Sequence, residues 1–280
     1  RSTLFPYTTL FRSMLYAQGI GPVRGIKARK AVQKVLQQVA VIGVRDRESK
    51  AELSDMGVTR PPIHVTADAV LSMHPVDKAI GRQILERHGF TGGRRKVGIA
   101  VRNWQGHQAY KDAIAEAADR LQQQEDVDII FIPMQHPEDV DAGRDIADRM
   151  KRAAIVLDDR YSTVEFMSLM GCMDAVIANR LHALIFSALM ETPATAISYD
   201  PKIDSFIHLI GDRVCGTTES VTAESLASRV SQQLAQGGLA PAIKARLNHL
   251  RRQSLRNAYL ALRILEGRDG VRKRDRKSVV

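Results

Sequence analysis

Short apolar runs alternate with longer stretches of helical periodicity along most of this chain. Val39–Val44, Val97–Val101, Val127–Pro133, Ala154–Asp158, Ala175–Ala178 and Pro193–Ser198 are dominated by apolar residues. Such runs predict strands buried on both faces. Leu15–Ala17 and Ile63–Asp68 read as two more. Between them, apolar residues recur at helical spacing in Gly25–Gln38, Ser49–Met56, Ala79–Gly89, Tyr110–Gln123, Tyr161–Cys172 and Ala223–Gln236. Ser162 to Glu165 has the form of a capping box, which marks a helix start. Pro241–Glu266 predicts a long basic helix with Ile243, Leu247, Leu250, Tyr259, Leu262 and Leu265 on its packing side. Regular alternation of strand and helix implies an α/β fold with parallel sheets.

In Asp174–Ala188 the strand passes into a helix with almost no loop, since Leu181, Leu184, Ile185 and Ala188 take up helical spacing at once. Asn179, Arg180 and His182 therefore sit where a parallel strand ends and a helix begins. Open α/β sheets bind ligands there, and free backbone N–H groups favour an anion. A guanidinium can grip a phosphate or carboxylate as a fork, and an imidazole can deliver a proton near neutral pH. The strand Pro193–Ser198 should bring Lys202 to the same sheet edge. Two cations gathered there repel each other unless an anion lies between them, so a bound phosphate or carboxylate is expected.

Other strand ends offer weaker candidates. Arg45 follows Val39–Val44 and either reaches an anion or pairs with Asp46 and nearby chain. Arg102, Asn103 and Trp104 follow Val97–Val101; Trp104 either stacks on a sugar or packs in the core. The glycines and proline of Gln18–Pro22 make a tight turn, which either admits a ligand to the backbone or is only a turn. His136 and Asp139 share a loop, but two such side chains do not make a metal site; that loop is read as lining a cleft, and no metal is expected.

Composition narrows the class. The chain has 280 residues and a formal charge of +10. Its ends inflate that charge. Arg1–Ser13 has no initiator Met and, like Asp275–Val280, resembles translated sequencing-adaptor read-through, so both are expected to be non-native. Much of the remaining charge lies in the last helix. No aromatic interleaving accompanies it, so no nucleic-acid partner is expected, and an anionic lipid surface explains it at least as well. No run approaches the roughly 20 apolar residues of a membrane span. Two distant cysteines suggest neither a disulfide framework nor a zinc site and fit a reducing cytosol.

Arg180–Leu181–His182 after an apolar strand, followed by Ile197–Lys202 (ISYDPK), resembles the polysaccharide pyruvyl transferases, most closely their CsaB branch in bacteria with S-layers. Tyr16–Pro22 (YAQGIGP), Val44–Asp46 (VRD) and Val65–Ala69 (VTADA) extend the likeness over roughly residues 14–236. The resemblance implies a GT-B-like architecture: two doubly wound Rossmann-like domains facing a cleft, the first incomplete and without the family's Gly-rich opening segment. With the glycines and charges of Thr91–Lys96 as hinge, the domains are expected at 14–90 and 91–236. A basic helix over 237–267 and a disordered or non-native tail over 268–280 follow.

The same resemblance implies a cytoplasmic enzyme, working in part at the inner membrane face. It would move the enolpyruvyl group of phosphoenolpyruvate, without a cofactor, onto N-acetylmannosamine of a lipid-linked cell-wall polymer precursor that anchors S-layer proteins. With that reaction, His182, Arg180 and Lys202 take catalytic roles and Leu181 and Arg45 touch substrate; Arg102, Asn103 and Trp104 are expected in substrate contact from their place at the end of Val97–Val101. A GT-B glycosyltransferase, a nucleotide-sugar 2-epimerase and a non-catalytic basic polymer-binding protein are the rivals. The first two would need an acidic nucleoside-binding residue, and none stands out.

Overall fold

The computed structural model describes residues 13–104 and 106–266; the two terminal segments read as non-native lie outside them, apart from Ser13. The chain divides into two units, one of residues up to Ser72 together with the chain from Asn248, the other Met73–Leu247.

The first unit is built on a parallel sheet in the order β1 (Met14–Gln18), β2 (Val41–Val44), β3 (Ile63–Val65). β2 is buried on both faces. Ile42 and Val44 join Leu36, Leu53, Met56 and Val58 beneath α1 (Ile26–Leu36) and α2 (Arg47–Asp55). Val41 packs on the opposite side against Leu260 and Ile264 of the last helix, α10 (Pro241–Leu265). Gly43 lets that helix come close: a Cβ at this position would lie 2.4 Å from Asn257 Oδ1. The buried Asn257 in turn accepts from the Thr66 hydroxyl at 3.0 Å, and Ser254 donates to the Asp68 carbonyl at 2.9 Å. These polar residues turn inward and set the phase of α10. Tyr259, Leu262 and Leu265, expected on its packing side, are exposed instead.

The second unit is a doubly wound α/β domain. Its strands β4 (Arg95–Ala100), β5 (Val127–Phe131), β6 (Ile155–Val156), β7 (Ala175–Ala178), β8 (Ala194–Ser198) and β9 (Gly216–Thr217) are all parallel, in the order β6-β5-β4-β7-β8-β9. One face is covered by α4 (Ala109–Gln124) and α9 (Ala223–Gln236), with Tyr110, Ile114 and Leu121 meeting Leu226 and Val230 over Val97, Ile99 and Ile177. The alanines at 113, 115, 117 and 118 allow the close approach. On the other side run α3 (Lys78–Arg87), α6 (Thr163–Gly171) and α7 (Leu181–Leu189). Ser162 and Glu165 form the expected capping box of α6. The connection Glu138–Ala147 is helical (α5), as is Pro201–Leu209 (α8).

The division between units falls at 72/73, ahead of the glycine-rich 91–96 stretch where the sequence suggested it. The reason is α3, which packs on α6: the Gly81 N–H donates to Ser168 Oγ at 2.7 Å, and a Cβ there would lie 2.6 Å from the Ser168 carbonyl. Likewise residues from Asn248 belong with the first unit and form no separate segment. Among the described residues no helix is long and apolar enough to cross a membrane.

Candidate functional site

Where the second unit's sheet reverses its winding, β4 lies beside β7. From this pair the chain winds out through β5 and β6 on one side and through β8 and β9 on the other, so the loops leaving β4 and β7 diverge. That gap is the ligand position of open α/β sheets. Asn179 closes β7 and ties the two strands together. It is fully buried; its Oδ1 accepts from the Arg102 N–H at 2.9 Å and its Nδ2 donates to the Arg102 carbonyl at 3.2 Å. The Tyr110 hydroxyl donates to the same carbonyl at 2.7 Å. Burial pushes that phenol up to about 12.

With its backbone clamped, Arg102 reaches over an aromatic pair. Trp104 and Tyr199 have ring centroids 4.2 Å apart at 40°, and the guanidinium carbon lies 5.9 and 5.8 Å from them. Trp104 follows β4 and Tyr199 follows β8, so the pair bridges the end of the intervening β7. Lys202 Nζ lies 5.5 Å from the Tyr199 centroid, within cation–π range. It also donates to Asp200 at 3.1 Å, the residue that caps α8. Asn103 is exposed.

Arg180 is the N-cap of α7. Its guanidinium bonds Asp139, and donates to Gln135 Oε1 at 3.2 Å. The Asp139 side chain is fully buried and accepts from the Met134 and Gln135 N–H groups at 3.1 and 3.0 Å. This loop, read from the sequence as cleft lining, is thus the holder of Arg180. The expectation that Arg180 and Lys202 stand together as uncompensated charge is corrected, because Asp139 and Asp200 each neutralise one of them. What remains unsatisfied is different. The Nε atoms of Arg102 and Arg180 are buried with no hydrogen-bond partner among the described residues. α7 has no side-chain cap and no acidic residue in its first turn, so its leading N–H groups are open. Leu181 is buried and contributes only its backbone there. His182 is exposed, its ring 6.2 Å from that of Phe186, with no hydrogen bond among the described residues.

Arg45 belongs to the first unit and follows the structural alternative. Its Nε is 3.1 Å from Asp46 Oδ2, and Nη1 is 3.7 Å from Asp68 Oδ2. Gly19 packs directly on the guanidinium, where a Cβ would fall 2.4 Å from Cζ. The Gln18–Pro22 turn, expected either to admit a ligand to the backbone or to be only a turn, sets its backbone against Arg45. Tyr199, Tyr110 and the link from Asp139 to Arg180 were not foreseen as site features. Tyr199 alone left a signal, as a ring set between a buried strand and a Pro-led helix.

The sequence profile of the polysaccharide pyruvyl transferase family matches residues 4–201. No curated protein matches the chain. A putative UDP-N-acetylglucosamine 2-epimerase from Listeria monocytogenes superposes with a TM-score of 0.65 at 13% identity, over 94% of this chain and 71% of that one. The UDP-GlcNAc 2-epimerase of Neisseria meningitidis, bound to UDP-GlcNAc, gives 0.61 at 9%, over 90% and 70%. A glycosyltransferase from Rickettsia africae gives 0.59 at 14%, over 94% and 71%. At such identities the likeness is one of fold, and that fold is GT-B-like with parallel sheets.

Proposed function

The chain belongs to the polysaccharide pyruvyl transferase family, a transferase whose acceptor is a polysaccharide, and from that premise we propose that it moves the enolpyruvyl group of phosphoenolpyruvate onto two hydroxyls of one sugar as a pyruvate ketal. The acceptor in this reading is N-acetylmannosamine of a lipid-linked cell-wall polymer precursor of the kind that anchors S-layer proteins, met at the inner face of the cell membrane. Phosphoenolpyruvate is a substrate, and no cofactor takes part.

One observation carries the reading: the β7–α7 junction combines an Arg180 held by Asp139, with its Nε still unpartnered, an uncapped helix start and an uncommitted His182. Arg180 and the α7 N–H groups hold the phosphate, while Lys202 and Arg102 attract the carboxylate across the Tyr199 ring. His182 gives its proton to the methylene carbon, which becomes the methyl group, and positive charge develops at the neighbouring carbon. A sugar hydroxyl attacks that carbon and returns a proton to His182. A second hydroxyl then displaces the phosphate, which leaves carrying that hydroxyl's proton. The Trp104 and Tyr199 rings supply apolar surface against which the acceptor ring can lie.

Phosphate release from phosphoenolpyruvate, with a β-linked N-acetylmannosaminyl acceptor, tests the assignment. His182→Ala should lower turnover by roughly 10²- to 10⁴-fold, the usual range for a general acid, while phosphoenolpyruvate still binds. Wild-type turnover in that variant removes His182 from the acid role. The shared fold makes a nucleotide-sugar enzyme the rival. Protection from heat by a UDP-sugar and not by phosphoenolpyruvate would favour it.

A further inference from the structure

The outward side of α10 carries a pattern that its packing does not use. Leu250, Ser254, Asn257, Leu260 and Ile264 form the buried side. At about 100° of turn per residue, Leu255, Tyr259 and Leu262 fall nearly opposite, and they are 55%, 58% and 57% exposed. With Leu265 they make up four of the seven exposed large apolar side chains among the described residues. The concentration on one helix is what separates them from the single exposed apolar residues found on any surface. Arg252 and Arg256, both exposed, run along one edge of the stripe, and the Arg263 guanidinium carbon lies 5.9 Å from the Tyr259 ring centroid. From Pro241 to Leu265 the helix contains no Asp or Glu.

We propose that this face of α10 docks on an anionic lipid bilayer, with Leu255, Tyr259 and Leu262 entering the headgroup boundary and the arginines meeting lipid phosphates. An amphipathic helix whose apolar stripe is bordered by Arg has the design of an interfacial membrane helix, in which apolar burial and attraction to anionic lipid add together. Two other occupants fit less well. A second copy packed face to face would set Arg edge against Arg edge with no acid on the helix to answer them. Nucleic acid would account for the arginines and leave the apolar stripe in water. The inference rests on α10 alone and holds whatever reaction the second unit performs.

Co-sedimentation of the full chain with vesicles separates these cases. Vesicles of phosphatidylglycerol and phosphatidylcholine at 3:7 should carry the protein down at low salt, and pure phosphatidylcholine vesicles should not. Replacing the stripe (Leu255→Ser, Tyr259→Ser and Leu262→Ser together) should weaken binding at least tenfold, and so should Arg252→Gln with Arg256→Gln. Both sets of side chains are exposed, so the melting temperature should not move; if the apolar variant melts early, the arginine variant alone decides. Absence of binding to the anionic vesicles, or equal binding to neutral ones, overturns the proposal. So does wild-type vesicle binding by either variant, or a dimer in solution that the apolar variant dissolves.

Discussion

Replacing Asp139 by Asn should unhinge Arg180 without changing the shape of the loop. The carboxylate is fully buried and Arg180 only 16% exposed, so water can do little to compensate for a lost charge. One oxygen can still accept from the Met134 and Gln135 N–H groups, as Oδ2 now does at 3.1 and 3.0 Å. The other position becomes an NH₂ aimed at a guanidinium. A charge-assisted hydrogen bond lost in this way costs about 1.5–3 kcal/mol, and a buried cation stripped of its partner about 3–5. Arg180 retains Gln135 Oε1 at 3.2 Å and some contact with solvent, so about 2–4 kcal/mol is expected. At about 2–4 °C per kcal/mol for a unit of this size, melting should fall by roughly 5–15 °C. Phosphoenolpyruvate binding should weaken about tenfold, equivalent to about 1.4 kcal/mol, because Arg180 is no longer held toward the proposed phosphate position. Calorimetric melting and ligand titration of the purified variant read both effects. A variant that melts and binds like wild type would refute the claim that Asp139 positions Arg180.

Asn179→Ala should cost about 2–4 kcal/mol, since it removes two hydrogen bonds and leaves the Arg102 N–H unpaired, while Tyr110→Phe should cost about 1. Urea unfolding of the double variant should show a loss exceeding the sum by at least about 0.5 kcal/mol, because the Arg102 carbonyl then has neither donor; strict additivity would contradict the clamp. Lys111, only 4% exposed, donates to Asp145 at 2.6 Å, and that bond chiefly holds the Asp145 carboxyl below the usual range. A depressed folded pKa gives stability that is present above the unfolded value of about 3.9 and lost as pH falls through the folded one. Asp145→Asn should therefore melt earlier than wild type at pH 7, with the gap closing below about pH 4. A gap that stays constant down to pH 3 would refute the link.

The β7–α7 junction was legible because a fully apolar strand running straight into helical spacing admits one reading, and the residues between must lie at the sheet edge. The alternating pattern likewise led to two parallel sheets. Partnership was not legible. Nothing in local spacing ties Asp139 to Arg180, since the contact spans two loops that become neighbours only when β5 and β7 take their places on either side of β4. The unit boundary was misplaced for a similar reason: glycine and charge at 91–96 mark a flexible connection, but whether α3 belongs before or after it depends on Gly81 meeting α6. In α10 the apolar residues occupy two faces, and periodicity alone could not say which is buried. Asn257 and Ser254, polar and facing inward, decide it through hydrogen bonds to the loop after β3.

The central claim is that the second unit binds phosphoenolpyruvate through Arg180. Isothermal titration of phosphoenolpyruvate into the purified chain, with Arg180→Ala and UDP as controls, tests it most directly. Saturable heat with phosphoenolpyruvate, lost in a folded Arg180→Ala variant and absent with UDP, is the predicted result. Saturable binding of UDP with no response to phosphoenolpyruvate would contradict it.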